Sequence, residues 1–179
     1  LRKRLSSISW FMGRLNEFIA RAANKEDNVK GRFWESRFRC VLLLDLPAIV
    51  ACMVYVDLNP LRAGLTDSLE QSLFTSIHQR LCIASAQHPS CPDPLPCPIP
   101  EPDYIQLVRS TASLWESSRA PLPNCEIAHH LPQVGIHPLA WLDTLKTLKS
   151  KFRVAIGSPA SLTKWTALRG RQRTPGLAA

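Results

Sequence analysis

The chain has 179 residues, a formal net charge of +8 at pH 7 and a 45% share of hydrophobic residues. That apolar share is enough for a packed core, and the length holds one domain or one and a small second one. The longest apolar run, Cys40 to Leu44, is far too short to span a bilayer, and the excess of basic residues favours an anionic partner, most simply nucleic acid.

The first residue is Leu rather than Met, so a fragment or a trimmed chain is expected. Leu5, Ile8, Phe11, Met12, Leu15, Phe18, Ile19 and Ala22 recur at three-and-four spacing, which predicts an amphipathic helix over 5–25. An apolar stripe of that length wants a sheet to cover. The start is basic but not an apolar block, so no signal peptide is read and a cytoplasmic protein with reduced thiols is expected. The polar run Asn24 to Lys30 reads as a loop.

Gly31 to Arg39 interleaves Arg32, Arg37 and Arg39 with Phe33, Trp34 and Phe38. Arginines pair with phosphates and aromatic faces stack on unpaired bases. The plainer reading is a strand with aromatics toward the core and arginines toward water, and one strand can satisfy both. Phe38 to Leu44 is β-prone and apolar, which predicts a buried strand. Asp45 can N-cap the following helix, with Pro47 tolerated in its first turn.

That helix leads into Tyr55-Val56-Asp57-Leu58-Asn59-Pro60-Leu61-Arg62-Ala63-Gly64. Tyr55 and Asn59 are four apart and so share a helix face. Pro60 places Asn59 at the helix end, and Gly64 supplies a permissive backbone position. A core tyrosine with a C-capping asparagine is the bland interpretation. The chemical one is a phenol and an amide held side by side, next to Arg62.

Leu69, Leu73, Ile77 and Leu81 predict a short helix over 68–81. Residues 84–102 carry proline at nearly every other position and read as an extended linker between two parts. Beyond it, helices are expected over 103–117, 138–154 and 161–168, with a short element at 127–134. From Thr144 onward no acidic residue occurs, while Lys146, Lys149, Lys151, Arg153, Lys164, Arg169, Arg171 and Arg173 are basic. This is either a solvated face with a frayed tail or a phosphate-contacting surface. The six cysteines form no C-x-x-C pair, which argues against a zinc site. His129 and His130 are adjacent, so they do not project the same way from a strand.

The Gly31-Arg32-Phe33-Trp34 segment followed by the Tyr55-to-Gly64 string resembles the REP-associated tyrosine transposases. These are single-tyrosine HUH enzymes of the insertion-sequence-200-like class, encoded by mobile elements. The resemblance covers roughly residues 5–83. It implies an α+β fold, a partial ferredoxin-like HUH core in which helix, strand and helix remain, followed by a helical basic extension over 103–179. It also implies single-stranded DNA cleavage and joining through a phosphotyrosine, with Tyr55 as nucleophile and Asn59 as a ligand of a divalent metal, Mg or Mn.

The expected partner is single-stranded or hairpin DNA, and members often work as homodimers. Arg32, Trp34, Arg37, Arg39 and Arg62 are the candidate DNA contacts, Arg62 by its charge rather than by the motif. The family's His-hydrophobic-His metal pair lies on a strand before these elements, and no histidine here has that spacing. Two readings follow. One is an active strand transferase. The other is a remnant or DNA-binding derivative that keeps the tyrosine helix and does not bind the metal.

Overall fold

A computed structural model describes residues 2–86, 99–116, 131–151 and 154–170. It is helix-rich, with one small sheet, and so falls in the α+β class in general. The chain forms two compact units, Leu1–Cys40 and Val41–Ala179.

In the first unit, a short helix α1 (Arg2–Leu5) precedes the long helix α2 (Ile8–Glu26). Ser7 caps α2 by accepting from the Trp10 N–H at 3.3 Å. The three-and-four apolar spacing thus forms the expected helix, but none of its residues is buried. Ile8, Phe11 and Phe18 are 62%, 58% and 73% exposed. On the polar side Glu17 pairs with both Arg14 and Arg21. After α2 the backbone turns at Asn28 with φ 51° and at Gly31 with φ 126°, and Asn24 Nδ2 donates to the Gly31 carbonyl at 3.0 Å.

The strand expected through Gly31–Arg39 is not formed: the segment is irregular, with bends at Gly31, Glu35 and Ser36. Four charged residues among nine leave it without a continuous apolar face, so nothing covers one side of a strand. The buried strand expected over 38–44 shrinks to β1 (Leu42–Leu43), and both its leucines keep more than a third of their surface in solvent. β1 pairs in parallel with β2 (Ala155–Ile156), with Leu42 opposite Ala155 and Leu43 opposite Ile156. Gly157 follows β2 so closely against β1 that an added Cβ would lie 3.0 Å from Leu44 Cβ.

Asp45 caps α3 (Leu46–Asp57) as expected, accepting from the Ala48 N–H at 3.2 Å with Pro47 in the first turn. Its other oxygen accepts the Ser158 N–H at 2.6 Å, tying α3 to the cap of α8 (Pro159–Arg169). Ala48, Val50, Ala51, Val54 and Leu58 are fully buried, and α3 is the centre of the second unit. The helix does not run on to Asn59. It ends at Asp57, and Asn59 opens a four-residue helix, α4 (Asn59–Arg62). Pro60 falls in the first turn of α4, where its missing N–H is not needed, so a proline expected to stop one helix instead starts another. Gly64 then adopts φ 66°.

The helix expected over 68–81 begins only at Ser76, as α5 (Ser76–Ala86). Thr75 Oγ1 accepts the His78 N–H at 3.3 Å and so caps it. Phe74 just before it is fully exposed at φ 64°, which no helix accommodates. Leu69, Ile77 and Leu81 are buried, but Leu73 faces solvent in the turn.

α6 (Glu101–Glu116) matches the helix expected over 103–117. The helix expected over 138–154 is a 3-10 turn, Pro138–Ala140, followed by α7 (Trp141–Lys151). The short element foreseen near 127–134 appears as the 3-10 turn Pro132–Val134, the rest of it lying outside the described residues. Most of the proline-rich stretch also lies outside them, with α5 running to Ala86 and α6 starting at Glu101. Residues on both sides of it share one core: Val54, Leu58 and Ile77 with Tyr104, Leu107, Trp141 and Leu145. No helix among the described residues is long and apolar enough to cross a membrane.

Candidate functional site

Two constellations carry the residues singled out in the sequence. Each lies within one unit.

In the second unit Tyr55 is partly buried on the last turn of α3 and packs against the core. Arg62, at the end of α4, sets its Cζ over the ring, 4.2 Å from the centroid. The same Cζ lies over the Trp115 ring from α6, at 4.5 Å. The guanidinium is therefore held against two aromatic faces, a favourable arrangement for a delocalised cation. Lys146 adds a second cation over Trp115, at 5.9 Å. Nε and Nη1 of Arg62 are buried and have no hydrogen-bond partner among the described residues.

Two residues on from Tyr55, Asp57 is buried. Oδ2 accepts from the Tyr104 hydroxyl at 2.7 Å, and Oδ1 accepts the Ile77 N–H at 3.2 Å. One carboxylate thus joins α3 to the first turn of α5 and to α6. Burial pushes its pKa up. The bonds from Tyr104 and Ile77 and the charge of Arg80 pull it partly back, leaving it above the ordinary carboxylate value. Arg80 is itself paired with Glu101 at 3.2 Å. Asn59 lies on the exposed side of α4.

The residues about Asn59 do not make a donor set for a divalent cation. Asn59 offers one neutral amide, and both oxygens of Asp57 are bonded into the interior. Among the described residues no three His, Cys, Asp or Glu side chains converge.

In the first unit, Arg32, Phe33, Trp34, Ser36, Arg37 and Phe38 line a recess beside Ser9, Gly13 and Asn16 of α2, with a volume of about 550 Å³. The Trp34 indole N–H donates to the Asn16 carbonyl at 2.9 Å, which fixes the ring's azimuth. Phe33 meets it edge-to-face, with centroids 4.8 Å apart. Both rings keep about two-fifths of their surface in solvent. Arg39 is exposed but does not line the recess.

The sequence-derived set is thus gathered in two groups: Tyr55 with Arg62, and Arg32 with Trp34 and Arg37. Trp115, Asp57 and Tyr104 were missed. Asp57 had a visible signal, a carboxylate inside an otherwise apolar helix, which a buried position leaves costly unless it is bonded. Trp115 had none, being far away in sequence. The adjacent His129 and His130 lie outside the described residues. No protein-family model, curated protein or solved structure matches the chain.

Proposed function

We propose that this chain is a DNA-binding protein of the REP-associated tyrosine transposase kind, and that it takes single-stranded or hairpin DNA. The observation that carries the proposal is the recess in the first unit. Arg32 and Arg37 flank two exposed rings, one of them held in fixed orientation by the Asn16 carbonyl. Guanidinium groups bond phosphate oxygens in pairs, and a ring face accepts any unpaired base. A duplex keeps its bases stacked on one another and offers no such face.

The proposal takes α2, β1 and α3, in that chain order, as part of a ferredoxin-like HUH core, followed by a helical extension. A homodimer and a cytoplasmic setting belong to it as well. By the resemblance, Tyr55 would be the nucleophile toward a DNA phosphate in an active parent, where a divalent metal would supply charge stabilisation. For this chain we favour the second form, binding without strand cleavage. The argument is that the donor set at Asn59 is inadequate and that the Tyr55 ring is stacked under Arg62.

The test is fluorescence anisotropy with labelled single-stranded, hairpin and duplex oligonucleotides over a salt series. Binding should favour the unpaired forms and weaken steeply with salt. Trp34→Ala should weaken it by about 1–3 kcal/mol, roughly 5- to 160-fold. Arg32→Ala and Arg37→Ala should each lower the salt slope by about 1. Absence of binding at low salt, or binding indifferent to salt, would sink the proposal. The same complexes, incubated with manganese and run on a denaturing gel, should show no covalent adduct. An adduct that vanishes in Tyr55→Phe assigns strand-transferase activity instead.

A further inference from the structure

A thiol and an imidazole lie on consecutive turns of α5. Cys82 Sγ is 3.6 Å from His78 Nε2, and Cys82 is exposed. The other ring nitrogen, His78 Nδ1, is 2.7 Å from the Glu70 carbonyl oxygen. A carbonyl only accepts, so Nδ1 carries the proton and Nε2 presents its lone pair to the thiol. The arrangement has three parts: a nucleophile, a base within hydrogen-bond reach, and a group that orients the base. The four-residue spacing along the helix sets the first contact, and the turn before α5 supplies the Glu70 carbonyl for the second.

We propose that Cys82 is a modification site for small alkylating electrophiles, with His78 as the base that activates it. With iodoacetamide as the probe, the sulfur forms a bond to the methylene carbon as the carbon–iodine bond breaks. Iodide leaves, and the thiol proton passes to His78 Nε2. The Nδ1–H bond to Glu70 persists through the transfer and holds the imidazolium in place.

The chain carries its own references. Cys40 is exposed and meets no imidazole among the described residues, and Cys52 is partly buried, with burial pushing its thiol pKa up. The experiment is timed iodoacetamide labelling of the full chain at pH 7, with each cysteine followed by peptide mass mapping. Cys82 should react at least about tenfold faster than Cys40, because a positioned base accelerates by that much or more. His78→Gln should bring Cys82 down to the rate of Cys40 while leaving Cys40 and Cys52 unchanged.

Equal rates for Cys82 and Cys40 in the wild-type chain overturn the proposal. So does a fast Cys82 that stays fast in His78→Gln. If Cys52 labelling accelerates in the variant, its fold is perturbed, and the deciding measurement becomes the wild-type chain in concentrated urea. There the helix is gone and the Cys82 advantage over Cys40 must vanish. An advantage that survives unfolding belongs to local sequence and refutes the geometry.

Discussion

Tyr104→Phe deletes one hydroxyl from the interior and nothing else. Tyr104 has no exposed surface and Asp57 has 2%, so the 2.7 Å bond between them is shielded from water. Burial holds the Asp57 carboxyl above its ordinary value, and the Tyr104 bond is the largest influence opposing it. The folded pKa therefore lies above the unfolded one. Between the two values the folded state binds more proton, so stability declines as pH rises through that interval. Removing the hydroxyl lifts the folded value further and widens the interval.

A hydrogen bond to a charged group is worth about 1.5–3 kcal/mol, so Tyr104→Phe should cost about 2 kcal/mol at pH 7. For a chain of this size that lowers Tm by about 4–8 °C. The cost should shrink as pH falls below about 4, where Asp57 is protonated in both states. Denaturant titrations of wild type and variant at the two pH values measure it. A cost that does not change with pH, or one under about 0.5 kcal/mol at pH 7, would refute a charged, tyrosine-bonded Asp57.

Asp45 should show the opposite pH sense. Burial raises its pKa, but bonds from the Ser158 N–H, the Ser161 and Ser158 hydroxyls and the Ala48 N–H together outweigh that and leave it lowered. Its contribution is present above the ordinary carboxylate value and is lost as pH falls through the folded one. Asp45→Ala should cost about 1 kcal/mol or more at pH 7 through the lost cap alone, with the gap closing in acid; thermal melts at pH 7 and pH 3 follow it. At the aromatic cluster, a double-mutant cycle of Arg62→Met and Trp115→Leu should give a coupling of about 0.5–2 kcal/mol. Zero coupling would mean the stacking adds nothing to stability.

Local signals suffice wherever the determining group lies within a few residues. The Asp45 cap, the α2 periodicity and the Gly64 turn needed only their neighbours. The errors came where partners were distant or where local chemistry competed with apolar spacing. Leu73 had the right spacing for a helix, but Thr75 caps α5 and Phe74 sits in a left-handed turn. The strand expected over 38–44 shrinks to two residues, and its partner is a different matter. β1 pairs with residues more than a hundred positions later, and no pattern near Leu42 announces Ala155 as its neighbour. The same holds for the candidate site: Tyr55 and Arg62 were legible as near neighbours on one string, whereas Trp115 joins the cluster from another helix.

That cluster constrains what Arg62 does. A guanidinium that clamps phosphate needs paired N–H groups turned toward it. Here Nε and Nη1 are buried and lack partners among the described residues. In this conformation Arg62 is a packing residue, fastening α4 to α3 and α6 through two ring faces. A phosphate role requires the side chain to leave both rings, giving up about 0.5–2 kcal/mol for each. Nε and Nη1, without acceptors among the described residues, would weigh the other way at about 1–3 kcal/mol each. Stacking on the rings and contact with a phosphate would therefore exclude each other for this one side chain. Trp115, which no local pattern pointed to, is the residue whose loss would shift the balance toward the second.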